Sequence, residues 1–171
     1  MKTLKLINYK THRGHDGCNG FNADIVYKGV KIAHVYDSAY GGCYEYNALA
    51  SKGYDDPKYK ENRKMLDALM SKAKQLPKVQ TEYGELDNDL DLVISELINQ
   101  LNIKKDEKKG VLVKSTRHSG WEIVGFKTSI PTTIKKWSDG LDAIQKIYDE
   151  QKKEDAKILN KEYLQTVGVI L

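Results

Sequence analysis

The sequence predicts an α+β fold, an antiparallel sheet of about five or six strands with three helices packed on one side. Three observations point there. Short β-forming runs separated by glycine turns crowd the first fifty residues. From Pro57 onward the apolar residues instead repeat every three or four positions, and a second pair of β-like runs returns near residues 110–127. The chain of 171 residues, 40% hydrophobic and 30% charged, is long enough to bury a core without disulfides and lies away from the composition of disordered chains. No linker, repeat or low-complexity stretch divides it, so a single domain spanning 1–171 is expected.

Residues 3–9 read as a first strand, followed by a loop, 11–20, punctuated by Gly14, Gly17 and Gly20. Residues 21–27 and 30–36 are two further strands joined across Lys28-Gly29, where the glycine supplies the positive φ of a tight hairpin. A turn at Tyr40-Gly41-Gly42 leads to a fourth strand at 43–46. Tyr59, Asn62, Leu66, Leu69, Met70 and Ala73 then form the stripe of a helix from Pro57 to about Gln75, closed by Pro77. After an acidic stretch, 82–91, the positions Leu86, Leu90, Val93, Ile94, Leu97 and Leu101 give a second helix whose carboxylates gather at its positive end. Residues 110–116 and 121–127 read as a hairpin turning at Arg117-His118-Ser119-Gly120. Ile134, Trp137, Leu141, Ile144 and Tyr148 mark a third helix with Ser138 as N-cap, and the Lys/Glu-rich stretch 150–163 continues it along a solvated face.

The N-terminus lacks the apolar centre of a signal peptide and no apolar run spans a bilayer, so a cytoplasmic protein without membrane contact is expected, with Cys18 and Cys43 as reduced thiols. The net charge of +4 is mild. The densest basic run, Lys104, Lys105, Lys108 and Lys109, together with Lys114 and Arg117 on the second hairpin, is a candidate phosphate-contacting patch; a solvated loop is the plainer reading. Trp121, at the same hairpin, reads as a core residue.

His12, His15, Asp16 and Cys18, with His34, Asp37 and Cys43, are metal-compatible types. Only the two loop histidines form a short-spaced pair, so no metal and no cofactor is expected. Gly14-x-x-Gly17-x-x-Gly20 leads into a strand rather than a helix N-terminus, which separates it from phosphate-binding loops. Neither cysteine carries the signature of a nucleophile. Tyrosine is abundant, 11 residues, with Tyr36, Tyr40, Tyr44, Tyr46, Tyr54 and Tyr59 close together. Tyrosine gives large contact area with a polar tip, so the cluster reads as a contact surface, or alternatively as β-formers filling a sheet face.

Phe21-Asn-Ala-Asp-Ile, Gly29-Val-Lys-Ile-Ala-His-Val-Tyr-Asp37 and Gly41-Gly42-Cys43-Tyr44-Glu-Tyr46, after Arg13-Gly14-x-Asp16-Gly17, resemble uncharacterised small proteins encoded by bacteriophages and mobile elements. The resemblance covers the first fifty residues and echoes more faintly in the hairpin from Val111 to Phe126. It carries no catalytic residues. It implies a non-enzymatic interaction protein that inhibits a host defence system, in the manner of an anti-CRISPR protein, by stoichiometric binding to a host defence protein or its nucleoprotein complex. The expected contact residues are then Tyr36, Tyr40, Tyr44 and Tyr46. The alternatives are nucleic-acid binding through Lys104, Lys105, Lys108, Lys109, Lys114 and Arg117, or hydrolysis of nucleic acid or nucleotides by His15, Asp16, His34 and Asp37.

Overall fold

The structure, a computed structural model, describes residues 3–14, 17–51, 53, 55–81, 84–115 and 120–171. Among them the fold is α+β: a four-stranded antiparallel sheet, two separate two-stranded hairpins and five helices. The chain divides into two compact units, Met1–Ile98 and Asn99–Leu171.

In the first unit, β1 (Leu4–Arg13), β2 (Asn19–Tyr27), β3 (Val30–Asp37) and β4 (Glu45–Ala48) form a meander in that order. Lys28 and Gly29 both take positive φ, 51° and 83°, the backbone of a two-residue hairpin whose twist matches its strands. β1 does not stop at Tyr9. Its register to β2 shifts between Ile7 and Lys10, where Asn8 takes φ 54°, and pairing resumes with Lys10 opposite Asn22 and His12 opposite Gly20. His12, expected in a loop, therefore lies on a strand.

One face of the sheet buries Leu4, Leu6, Phe21, Ala23, Ile25, Ala33 and Val35. Helix α1 (Pro57–Ala73) starts where the sequence expects it. Asp56 caps it by accepting from Lys58 N at 2.8 Å, Pro57 occupies the first turn, and Asn62, Leu66, Leu69 and Ala73 are buried toward β3 and β4. The acidic stretch first forms a hairpin, β5 (Val79–Thr81) with β6 (Gly84–Leu86), which leaves Leu86 exposed and delays α2 (Leu90–Asp106) to a cap at Asp89, whose carboxylate accepts from Leu92 N at 2.8 Å.

The second unit holds β7 (Val111–Lys114) paired only with β8 (Trp121–Val124) among the named strands, so the large sheet is four strands rather than five or six. The third helix of the sequence is two: α3 (Ile130–Lys136) and α4 (Gly140–Lys153) are separated where Trp137 becomes extended. A Cβ on Gly140 would come within 2.5 Å of Thr133 O, so glycine permits the close restart. Nor does a helix run through 150–163. α4 ends at Lys153, Asp155 takes φ 55°, and Ile158 pairs with Val113 before the short α5 (Lys161–Thr166). Burial explains this: Ile158 joins Val111, Ile130, Ile144, Tyr148, Leu164 and Val169 in one core, which a solvated helix would not allow. Buried Asn160 ties the segment down, accepting from Leu112 N at 2.9 Å and donating to Gly110 O at 2.8 Å and Glu107 O at 3.0 Å. Among the described residues no helix is long and apolar enough to cross a membrane.

Candidate functional site

The second face of the meander, opposite the buried one, carries a connected polar arrangement centred on a buried carboxylate. Alternation along paired strands sets its side chains in rows. Lys5, Val26 and Lys31 form one row; Ile7, Asp24, His34 and Asn47 the next; Lys10, Asn22, Tyr36 and Glu45 the third; His12 and Gly20 the last. Lys5, Lys10, Asn22, Lys31, His34, Tyr36, Glu45 and Asn47 are exposed, whereas Asp24 is buried at 4%.

Two irregularities build the centre. The bulge at Asn8 turns its amide onto Asp24 Oδ2 at 2.6 Å. A second register shift, in β3 between Lys31 and Ala33, leaves Ile32 as the extra residue and brings His34 opposite Asp24. Lys31 Nζ then lies 3.3 Å from Asp24 Oδ2, and His34 Nδ1 contacts Oδ1. Bulges commonly re-aim side chains in this way. Burial is the largest single influence on the Asp24 carboxyl and raises its pKa. The hydrogen bonds from Asn8 and Lys31, with the charges of His34 and Lys31, outweigh it and hold the group below its ordinary 3.8. Asp24 thus fixes His34 through Nδ1, while Nε2 sits on the other edge of a ring that is 55% exposed. Asn8, Lys10, Asn22, His34 and Tyr36 rim an open groove over this carboxylate.

Beside it, the His12 and Tyr36 rings stack with centroids 5.3 Å apart and planes 10° from parallel. They come from β1 and β3, and His12 reaches Tyr36 by lying across Gly20 of β2: a Cβ there would stand 2.6 Å from His12 Nε2 and closer still to Asp37 O. His12 Nε2 is buried without a hydrogen-bond partner.

The tyrosines expected at one surface separate. Tyr36 is 37% exposed and Tyr40 70%. Tyr44 and Tyr46 face α2: Tyr46 Oη donates to Asp91 Oδ1 at 2.7 Å, Tyr44 N donates to Asp91 Oδ2 at 2.9 Å, and Tyr44 Oη shares a 2.7 Å hydrogen bond with Ser95 Oγ. Burial, above all, pushes both phenols up, and the Asp91 carboxylate adds to this at Tyr46. Tyr54 lies outside the described residues; Tyr59 is half-buried on α1.

Asp37 lies an odd number of positions from His34, on the alternate face of β3, and its carboxylate accepts from Ala39 N at 2.9 Å. His15, Asp16, Arg117 and His118 lie outside the described residues. Lys104, Lys105, Lys108 and Lys109 are exposed at and beyond the end of α2, with Lys109 paired to Asp106 at 2.5 Å, and Lys114 is exposed at the end of β7. Trp121 is half-buried, donating to Asp106 Oδ2 at 3.3 Å. Cys18 and Cys43 are exposed free thiols. Among the described residues no three His, Cys, Asp or Glu side chains gather as a metal site.

The sequence gives no expectation of a site role for Asn8, Lys10, Asn22, Asp24 or Lys31. No family model matches the chain, and neither does any curated protein or solved structure.

Proposed function

We propose that the chain acts by stoichiometric binding, as a phage or mobile-element protein that inhibits a bacterial defence system from within the host, and that its contact surface is the outer face of β1, β2 and β3. The observation that supports this reading is the built centre of that face: two bulges converge Asn8, Lys31 and His34 on one buried carboxylate, so His34 is held in place before any partner arrives, and Tyr36 beside it is backed by the ring of His12. Preorganisation of this kind lowers the ordering cost of binding. Tyr36 and Tyr40 offer contact area directly, while Tyr44 and Tyr46 support the surface from behind by anchoring α2.

The test is phage survival on bacteria with an active defence system, with the chain expressed in the host. Asn22→Glu and Tyr36→Ala should remove protection while leaving the melting temperature near that of the parent protein. Undiminished protection by both folded variants would refute the surface.

A second reading is favoured by one observation, the orientation of His34 by Asp24. A carboxylate fixing Nδ1 leaves Nε2 to take a proton from an attacking water, as in a general base of phosphodiester hydrolysis. His34→Gln should then abolish turnover of a nucleic-acid substrate while retaining binding; absence of turnover in the parent protein rejects this reading.

A further inference from the structure

We infer that the outer face of the meander takes single-stranded nucleic acid, with Tyr36 as the surface on which a base stacks and Lys5 and Lys10 as the cations facing the phosphates. This rests on the proposed contact surface and names its occupant.

The ring of Tyr36 stands on an open sheet face, partly exposed, and is backed on one side by His12 lying across Gly20. That gives a flat aromatic surface held by two strands with little rotamer freedom left to lose. Every base has a π-face, so such a surface accepts a strand whose bases are unpaired and gains little from a duplex, whose bases are already stacked.

Charge on the face agrees. Two exposed lysines, Lys5 and Lys10, occupy the rows on either side of Asp24 and His34, while the third, Lys31, is paired with Asp24. Two carboxylates share the face. Asp24 is buried and already engaged by Asn8, Lys31 and His34, so it does not present a free negative charge, and Glu45 stands on the outermost strand. Asn22 and Asn47, exposed in the same rows, offer amides that both donate and accept, the chemistry of base edges.

Ile7 and Val26 are the aliphatic side chains in these rows, which is too little for the desolvated apolar centre of a protein–protein contact.

The experiment is fluorescence anisotropy of short labelled oligothymidylate and oligouridylate, titrated with the whole protein at low salt and repeated with a duplex of the same length. Single strands should bind and the duplex should compete poorly. Affinity should fall with salt along a shallow log–log slope of about 1.4, from two lysines at roughly 0.7 per phosphate. Tyr36→Ala should weaken binding by about tenfold or more, the usual effect of removing one stacking ring. Lys10→Glu should weaken it independently, and Lys60→Glu, on α1, should leave it unchanged. Melting temperatures are read in parallel; if Tyr36→Ala fails to fold, Lys10→Glu decides.

Absence of binding by the folded parent protein, or binding indifferent to Lys10→Glu, overturns the inference. A photo-crosslinking side chain placed at Asn22 and used in defended, phage-infected cells separates the two levels. Capture of a host protein with no oligonucleotide binding overturns the inference and leaves the binding surface standing. Capture of nothing, with phage protection unaffected by variants of the face, removes both.

Discussion

Asp24 keeps its charge inside the sheet, and its contribution to stability follows pH accordingly. Its pKa in the folded protein lies below the ordinary 3.8, so the contribution is fully present above about pH 4 and is lost as pH falls through the lower, folded value. Asp24→Asn should destabilise the protein at neutral pH by about 1–3 kcal/mol, since the negative charge facing Lys31 and His34 is lost and one of the two acceptor oxygens becomes a donor, and the gap to the parent protein should narrow in acid. Urea unfolding at both pH values checks this; an unchanged gap would mean that the carboxylate is not held ionised. Gly20→Ala should cost about 1–3 kcal/mol by overpacking, because its Cβ meets His12 Nε2 and Asp37 O, and should shift the His12 ring signals in an NMR spectrum. An unperturbed His12 would contradict the packing across Gly20. The Asp24 centre was hidden in the sequence for a definable reason. A two-residue turn at Lys28-Gly29, continued regularly, sets Asp24 opposite Ala33 and His34 opposite Ala23, and only the extra residue at Ile32 brings the acid and the imidazole together. Nothing in the composition of β3 announces that residue.

Among the elements, those with local punctuation were legible. Pro57 and the stripe through Asn62, Leu66, Leu69 and Ala73 mark α1, and Lys28-Gly29 marks its hairpin. Where the decisive contact is distant in sequence, local pattern misleads: residues 150–163 carry helix-compatible charges, yet Ile158 joins the core of the second unit and Asn160 is buried. Asn160→Ala should therefore cost about 3 kcal/mol, because it leaves Leu112 N–H and the carbonyls of Glu107 and Gly110 without their partner. At roughly 2–4 °C per kcal/mol the melting temperature should drop by several degrees, measurable by calorimetry. Tyr46→Phe tests the anchorage of α2 in the same way. Loss of the Asp91 hydrogen bond should cost about 1 kcal/mol in urea unfolding, and no change would mean that the bond contributes nothing net.

At the scale of the molecule, the boundary between the two compact units falls at Ile98 and Asn99, inside α2. No glycine or proline interrupts Leu90–Asp106, so the turn and linker signals that mark boundaries in a sequence are missing there. Hydrogen exchange of Asn160→Ala should show faster exchange in 99–171 than the parent protein, with amides of 1–98 changed less; equal acceleration in both would show that they open as one cooperative unit.

Asn8 has a further meaning for how this surface can vary. It is supernumerary to the pairing: on either side of it Ile7 faces Asp24 and Lys10 faces Asn22, so a strand shortened by one residue would keep every other side chain on its present face. Most single-residue deletions within a strand invert it. This one should leave the meander intact and strip Asp24 of its amide, so that the chain carries, in the middle of its first strand, a letter that the fold can spare and the site cannot.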